Sequence, residues 1–395
     1  SLRLTVARQR DGGLSFNDID GRGPGTAIQG NVRLARDGRI IDVNLPRLAI
    51  QGRSNARVTA TRGSDGGLNV AVRGALFDAA PFMAGDDGAS AAAPAAPGAS
   101  AGAGAVRANL VVDNLKMRGG ATLANAHVDL TVWRGALSTL IASGQSPSNR
   151  LFSLALGPRN DDPLGHVAFR SDDAGFAVAA LTGTPNVVGG TAVADGDWRP
   201  GPPTSARFNV RMRDFQVVRL PALAQLLSSA GSLTGLAETL NGDGIGFNNL
   251  DARLTYANNR VSFTDARMAG PALGLTGSGG YDIHADNLTI DGVVAPSPIL
   301  NLSMLSNVPV LGNLLTSRRG EGVFGMTYSI NGHAAAPRVF VNPVSALTPG
   351  ILRRIFEPVA PRGQAGAPAA PQPPANDNAP PSALAPSATP ADPAR

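Results

Sequence analysis

Short stretches of this chain alternate apolar and polar residues with a period of two. In Phe208-Asn209-Val210-Arg211-Met212-Arg213 the side chains of Phe208, Val210 and Met212 must share one side of a strand. Asn and Arg take the other, because successive Cβ atoms in an extended chain point to opposite faces. The same reading fits Leu254-Thr255-Tyr256, Val261-Ser262-Phe263, Leu288-Thr289-Ile290 and the stretch from Phe324 through Met326 and Tyr328 to Ile330. Strands buried on both faces would be apolar nearly throughout, so half-wet strands predict antiparallel pairing. Turn residues lie between the strands: Asp11-Gly12-Gly13, Asp37-Gly38, Asp65-Gly66-Gly67 and Asn258-Asn259 tolerate the positive φ of tight hairpins. A mainly β meander of hairpins is expected, with few short helices.

Composition narrows what such strands can do. Hydrophobic residues make up 43% of the 395, enough for globular structure, but 48 glycines and 31 prolines commit many positions to turns. Without cysteine there can be no disulfide, thiolate metal site or Cys nucleophile. The net charge of +5 raises nucleic acid as a partner. However, the charge is almost all arginine, with Lys116 the only lysine, and Arg207, Arg211 and Arg213 occupy the polar positions of an alternating strand. Basic residues are not interleaved with aromatics as a single-strand binder requires, so nucleic acid is not an expected partner.

Two segments divide the chain. Residues 85–105 carry almost nothing larger than Ala and Pro, and read as a flexible linker between an N-terminal strand-rich segment, 1–84, and a main body, 106–357. Residues 358–395, rich in Ala and Pro, read as a disordered tail. Pro221, with Leu223, Leu226 and Leu227 at helical spacing and Gly231 beyond, predicts a short helix. A second is expected from Ser232 to Leu240, and an apolar helix-and-loop passage between Pro298 and Leu315. A last helix, opened by Thr348-Pro349 and stopped by Pro358, sets Ile351, Leu352, Ile355 and Phe356 near one side and Arg353 and Arg354 toward another. That arrangement suits a membrane interface, and equally a helix packed on the sheet end. A strand already at Leu2–Val6 suggests that further strands and an anchor lie upstream.

Apparent catalytic motifs lack the context they need. Gly98-Ala99-Ser100-Ala101-Gly102 matches a nucleophile elbow but sits in an Ala/Gly/Pro tract. His127, His166, His284 and His333 are scattered, and the glycine triplets at 21–25 and 242–246 do not complete a phosphate loop. Asp161-Asp162 and Asp172-Asp173 read as solvated turn residues. No catalytic residue, cofactor or metal is expected.

A resemblance adds to this reading. Pro309-Val310-Leu311-Gly312-Asn313-Leu314-Leu315, then Gly320-Glu321-Gly322-Val323-Phe324-Gly325, Gly332 before Pro337, Val341-Asn342-Pro343, Pro349-Gly350 and Arg353 to Phe356 resemble the ending of AsmA-like bacterial envelope proteins. Gly270-Pro271-Ala272-Leu273-Gly274-Leu275-Thr276-Gly277 fits the segment before it. The likeness covers about 205–357 well and 1–204 more loosely. It implies antiparallel strands bent into an open, curved apolar groove of the repeating β-groove type. It also implies a periplasmic protein anchored in the inner membrane, contributing without catalysis to phospholipid transport toward the outer membrane. Phospholipid acyl chains, a membrane surface and envelope proteins would be its partners. The groove would be lined by Phe208, Val210, Met212, Leu254, Tyr256, Val261, Phe263, Leu288, Ile290, Phe324, Met326, Tyr328 and Ile330. The same residues would also suit the inside of a closed sandwich. A β-scaffold for envelope assembly is the other functional reading.

Overall fold

The computed structural model describes residues 1–83, 104–133, 136–159, 162–199, 204–229, 240, 242–296 and 325–342, all within one compact unit. Six strands come first: β1 (Leu2–Arg8), β2 (Leu14–Gly23), β3 (Thr26–Leu34), β4 (Ile40–Ile50), β5 (Ser54–Arg62) and β6 (Leu68–Asp78). After helix α1 (Ala80–Met83) come β7 (Val106–Lys116), a 3-10 turn at Arg118–Gly120, β8 (Thr122–Trp133), β9 (Ala136–Gln145), β10 (Leu151–Arg159) and β11 (Asp162–Ser171). Helix α2 (Ala174–Thr182) leads to β12 (Val187–Arg199) and β13 (Ser205–Val217), and α3 (Pro221–Ser229) precedes β14 (Ile245–Ala257). The described strands end with β15 (Arg260–Ala269), β16 (Leu273–Asp282), β17 (Asn287–Pro296), β18 (Met326–Gly332) and β19 (Arg338–Asn342).

All nineteen described strands belong to a single sheet, each paired with the next in the chain, and among the described residues no pairing between β1 and β19 closes it. The sheet is curved and open. It is a meander because most connections are tight turns, and the expected turn residues adopt the required geometry: Gly12, Gly38, Gly66, Asn258 and Asn259 all have positive φ.

One pairing departs from the antiparallel expectation. β6 and β7 run parallel from Leu68↔Val106 to Asp78↔Lys116. A parallel pair needs a long crossover, and the segment from Ala79 to Ala105 supplies it. The sheet therefore continues across the stretch expected to separate 1–84 from 106–357.

The two long edges of the sheet differ. β13 reaches one of them at Val217 and β14 leaves it at Ile245. The same edge carries α1, the 3-10 turn, α2 and α3, so it is the helix edge. The described connections at the opposite, hairpin edge are turns, at residues 9–13, 35–39, 63–67, 258–259, 283–286 and 333–337.

Burial follows this division. Leu226 and Leu227 of α3 are fully buried with Phe215, Phe247, Leu273 and Val294, and α3 packs on β19. Phe215 and Phe247 stack with ring centroids 5.7 Å apart. The sequence did not single out α2, although its signals are present: Asp173 caps the helix by accepting from Phe176 N at 2.9 Å, and Gly183 ends it in the left-handed region. Phe176 meets the fully buried Phe152 edge to face at 5.9 Å. Asp173 is therefore a helix cap rather than a plain turn residue.

Candidate functional site

Directly opposed residues on neighbouring strands project from the same face of a sheet. Followed across the registers, one line of opposed residues crosses the whole molecule. It begins Val6, Phe16, Val32, Val43, Ala60, Val70, Ala108, Leu130, Leu140. It continues Leu156, Val167, Gly196, Phe208, Leu254, Phe263, Gly279, Ile290, Ile330 and Val339. Every member is apolar or glycine. At about 4.8 Å between strands, the line is about 85 Å long.

From β12 to β18 this line is flanked by others on the same face. Toward the helix edge lie Ala192, Met212, Leu250, Met268, Leu275, Val294 and Met326. Toward the hairpin edge lie Trp198, Ala206, Tyr256, Val261, Tyr281 and Leu288. Met212 and Ala206 are six residues apart on β13, so the apolar band is about 20 Å high at 3.4 Å per residue. The opposite face carries Arg207, Asn209, Arg211 and Arg213 against Thr255, Arg253, Asp251 and Asn249.

Twelve of the expected groove residues meet on the apolar face. Phe208, Val210, Leu254, Tyr256, Val261, Phe263, Leu288, Ile290 and Met326 are half-buried, whereas Met212, Tyr328 and Ile330 are buried. The described strands all belong to one unclosed sheet, so among the described residues no second sheet faces them, and the closed sandwich is not the arrangement adopted. Phe324 and the helix residues Ile351, Leu352, Arg353, Arg354, Ile355 and Phe356 lie outside the described residues. So do the helix expected from Ser232, apart from the buried Leu240, the 298–315 passage and the motif around Ser100. Sequence reasoning missed Trp198, Leu250, Met268, Leu275, Tyr281 and Val294. Strand alternation was available for several, but only the register places them on this face.

Two devices shape the face. Bulges at Asp18 in β2, Asn125 in β8 and Asp265 in β15 have positive φ and coincide with register shifts. Two of their amides find side-chain acceptors: Asp18 N donates to Asn31 Oδ1 at 2.9 Å and Asp265 N to Ser278 Oγ at 3.3 Å. The β15 bulge also resets the alternation, so that Val261, Phe263 and Met268 all face the same way. Glycine occurs where strands crowd. A Cβ on Gly196 would overlap the carbonyl oxygen of Arg207, and one on Gly279 that of Thr289.

Tyr328 is the buried titratable group on this face. Its hydroxyl donates to Thr276 O at 3.0 Å. Burial, with a smaller contribution from the Asp291 charge, pushes its pKa up to about 12. Folding brings Asp195 to 3.3 Å from His166, and Asp286 to 3.3 Å from His333. Among the described residues no group of three His, Asp or Glu is placed to hold a metal.

Comparison with family models, curated proteins and solved structures returned no match to this chain. The likeness to AsmA-like proteins rests on the motifs alone.

Proposed function

We propose that this chain is a non-enzymatic lipid conduit, whose open apolar face shelters phospholipid acyl chains as they move between the inner and outer membranes. The observation that carries this reading is the unbroken apolar line from Val6 to Val339. A structural core needs apolar residues where elements pack, but it does not need them at every strand of an open sheet nineteen strands wide.

The energetics favour such a surface. Each CH₂ of a lipid tail exposed to water costs about 0.8 kcal/mol, so a bare tail crossing an aqueous gap meets a barrier on the order of 10 kcal/mol. A continuous apolar face removes most of it at every step. The band is about 20 Å high, comparable with half of the ~30 Å hydrocarbon core of a bilayer. One tail fits across it while its headgroup stays wet.

The test is direct. After exposure to phospholipid vesicles and repurification, organic extraction followed by mass spectrometry is expected to recover bound phospholipid. A clean extract from folded protein overturns the conduit and leaves the sheet as a scaffold for other envelope proteins.

A further inference from the structure

The apolar face is not uniform from edge to edge. Trp198, Tyr256 and Tyr281 stand on the line nearest the hairpin edge, and the chain has only two tryptophans and three tyrosines. Both tyrosines turn their hydroxyls toward polar groups of that edge: Tyr256 donates to Asn259 Oδ1 at 3.2 Å and Tyr281 to Asp286 Oδ1 at 2.9 Å. Side chains with an apolar body and a polar tip collect where hydrocarbon meets water. At the helix edge the same face is dry, with Phe247, Leu273 and Val294 buried beneath α3.

Trp198 differs from the two tyrosines. It is 7% exposed and packs with Val167 and Ala206, and its Nε1 is the buried side-chain nitrogen without a hydrogen-bond partner among the described residues. Gly165 leaves room for the ring, since a Cβ there would stand 2.7 Å from Trp198 Cδ1. An unmatched buried donor is costly and rare in a folded protein.

Resting on the conduit reading, we infer that the lipid lies with its tail toward the helix edge and its headgroup at the hairpin edge, and that Trp198 Nε1–H donates to an ester carbonyl of the lipid. The ligand class is therefore an ester-linked glycerophospholipid. Its carbonyl is a pure acceptor at the depth where the tail begins, which is what the indole lacks. From Trp198 the tail has about 20 Å of apolar strand to lie along before it meets the line of Met212.

Two measurements on the full chain test this. The first compares W198F with the parent protein for a diester phospholipid and its diether analogue. W198F is expected to bind the diester about fivefold more weakly, the worth of one hydrogen bond, and the diether unchanged. Equal loss for both lipids, or loss for neither, overturns the assignment of the donor. Failure of the parent protein to bind either lipid sinks the conduit itself. The second uses W133F, in which Trp198 is the remaining tryptophan, and needs no change at Trp198. Lipid brominated beside the acyl carbonyl is expected to quench its fluorescence more than lipid brominated at the chain end. The reverse order overturns the orientation.

Discussion

The phenol of Tyr328 lies across Gly292, its register partner on the neighbouring strand: a Cβ there would stand 2.6 Å from the hydroxyl oxygen. It would also overlap the carbonyl oxygen of Thr276. Gly292→Ala is therefore expected to lower stability by about 1–3 kcal/mol, the usual cost of overpacking. Thermal melts measure it. Adding Y328F should not restore the loss, because the carbonyl clash remains, and full rescue would show that the phenol alone sets the spacing.

Tyr328 also predicts how the fold responds to alkali. Its pKa is about 12 in the folded chain against 10 for the free side chain, so the unfolded chain loses the proton first. Its contribution is complete below pH 10 and declines as pH rises toward 12, at about 1.4 kcal/mol per pH unit. Denaturant titrations across this range should show that decline in the parent protein and a shallower one in Y328F. Parallel curves would sink the prediction.

The helix edge should depend on a few side chains. Leu227 of α3 is fully buried, so Leu227→Ala is expected to cost about 2–5 kcal/mol. Asp173→Ala removes the cap on Phe176 N and should cost about 1 kcal/mol. Chemical denaturation distinguishes the two, and a larger effect for the cap than for the leucine would contradict the packing described here.

On the apolar face, Phe263→Glu is expected to abolish recovery of bound phospholipid while costing only about 1–2 kcal/mol of stability, because the side chain is half-buried. Arg253→Glu, one residue from Leu254 but exposed on the polar face, should leave lipid recovery unchanged. Equal effects from the two would mean that the apolar face has no special role.

How much of this was readable from the residues depends on distance along the chain. Alternation in Phe208–Arg213 and the Asn258-Asn259 turn are local, and both gave the correct structure. Pro221 with Leu223, Leu226 and Leu227 placed α3. The parallel joint between β6 and β7 was not readable, because the intervening segment shows no preference for either pairing. Nor was the inward direction of Met268, which depends on the extra residue at Asp265; a one-residue slip reverses every side chain beyond it. Trp198 stood out only once its buried nitrogen could be checked for a partner.

Because each strand pairs with its sequence neighbours and the two ends of the sheet do not meet, the gauge of this track and its mileage are set independently. Strand length fixes the gauge. One more hairpin would extend the track by about 10 Å without altering its cross-section.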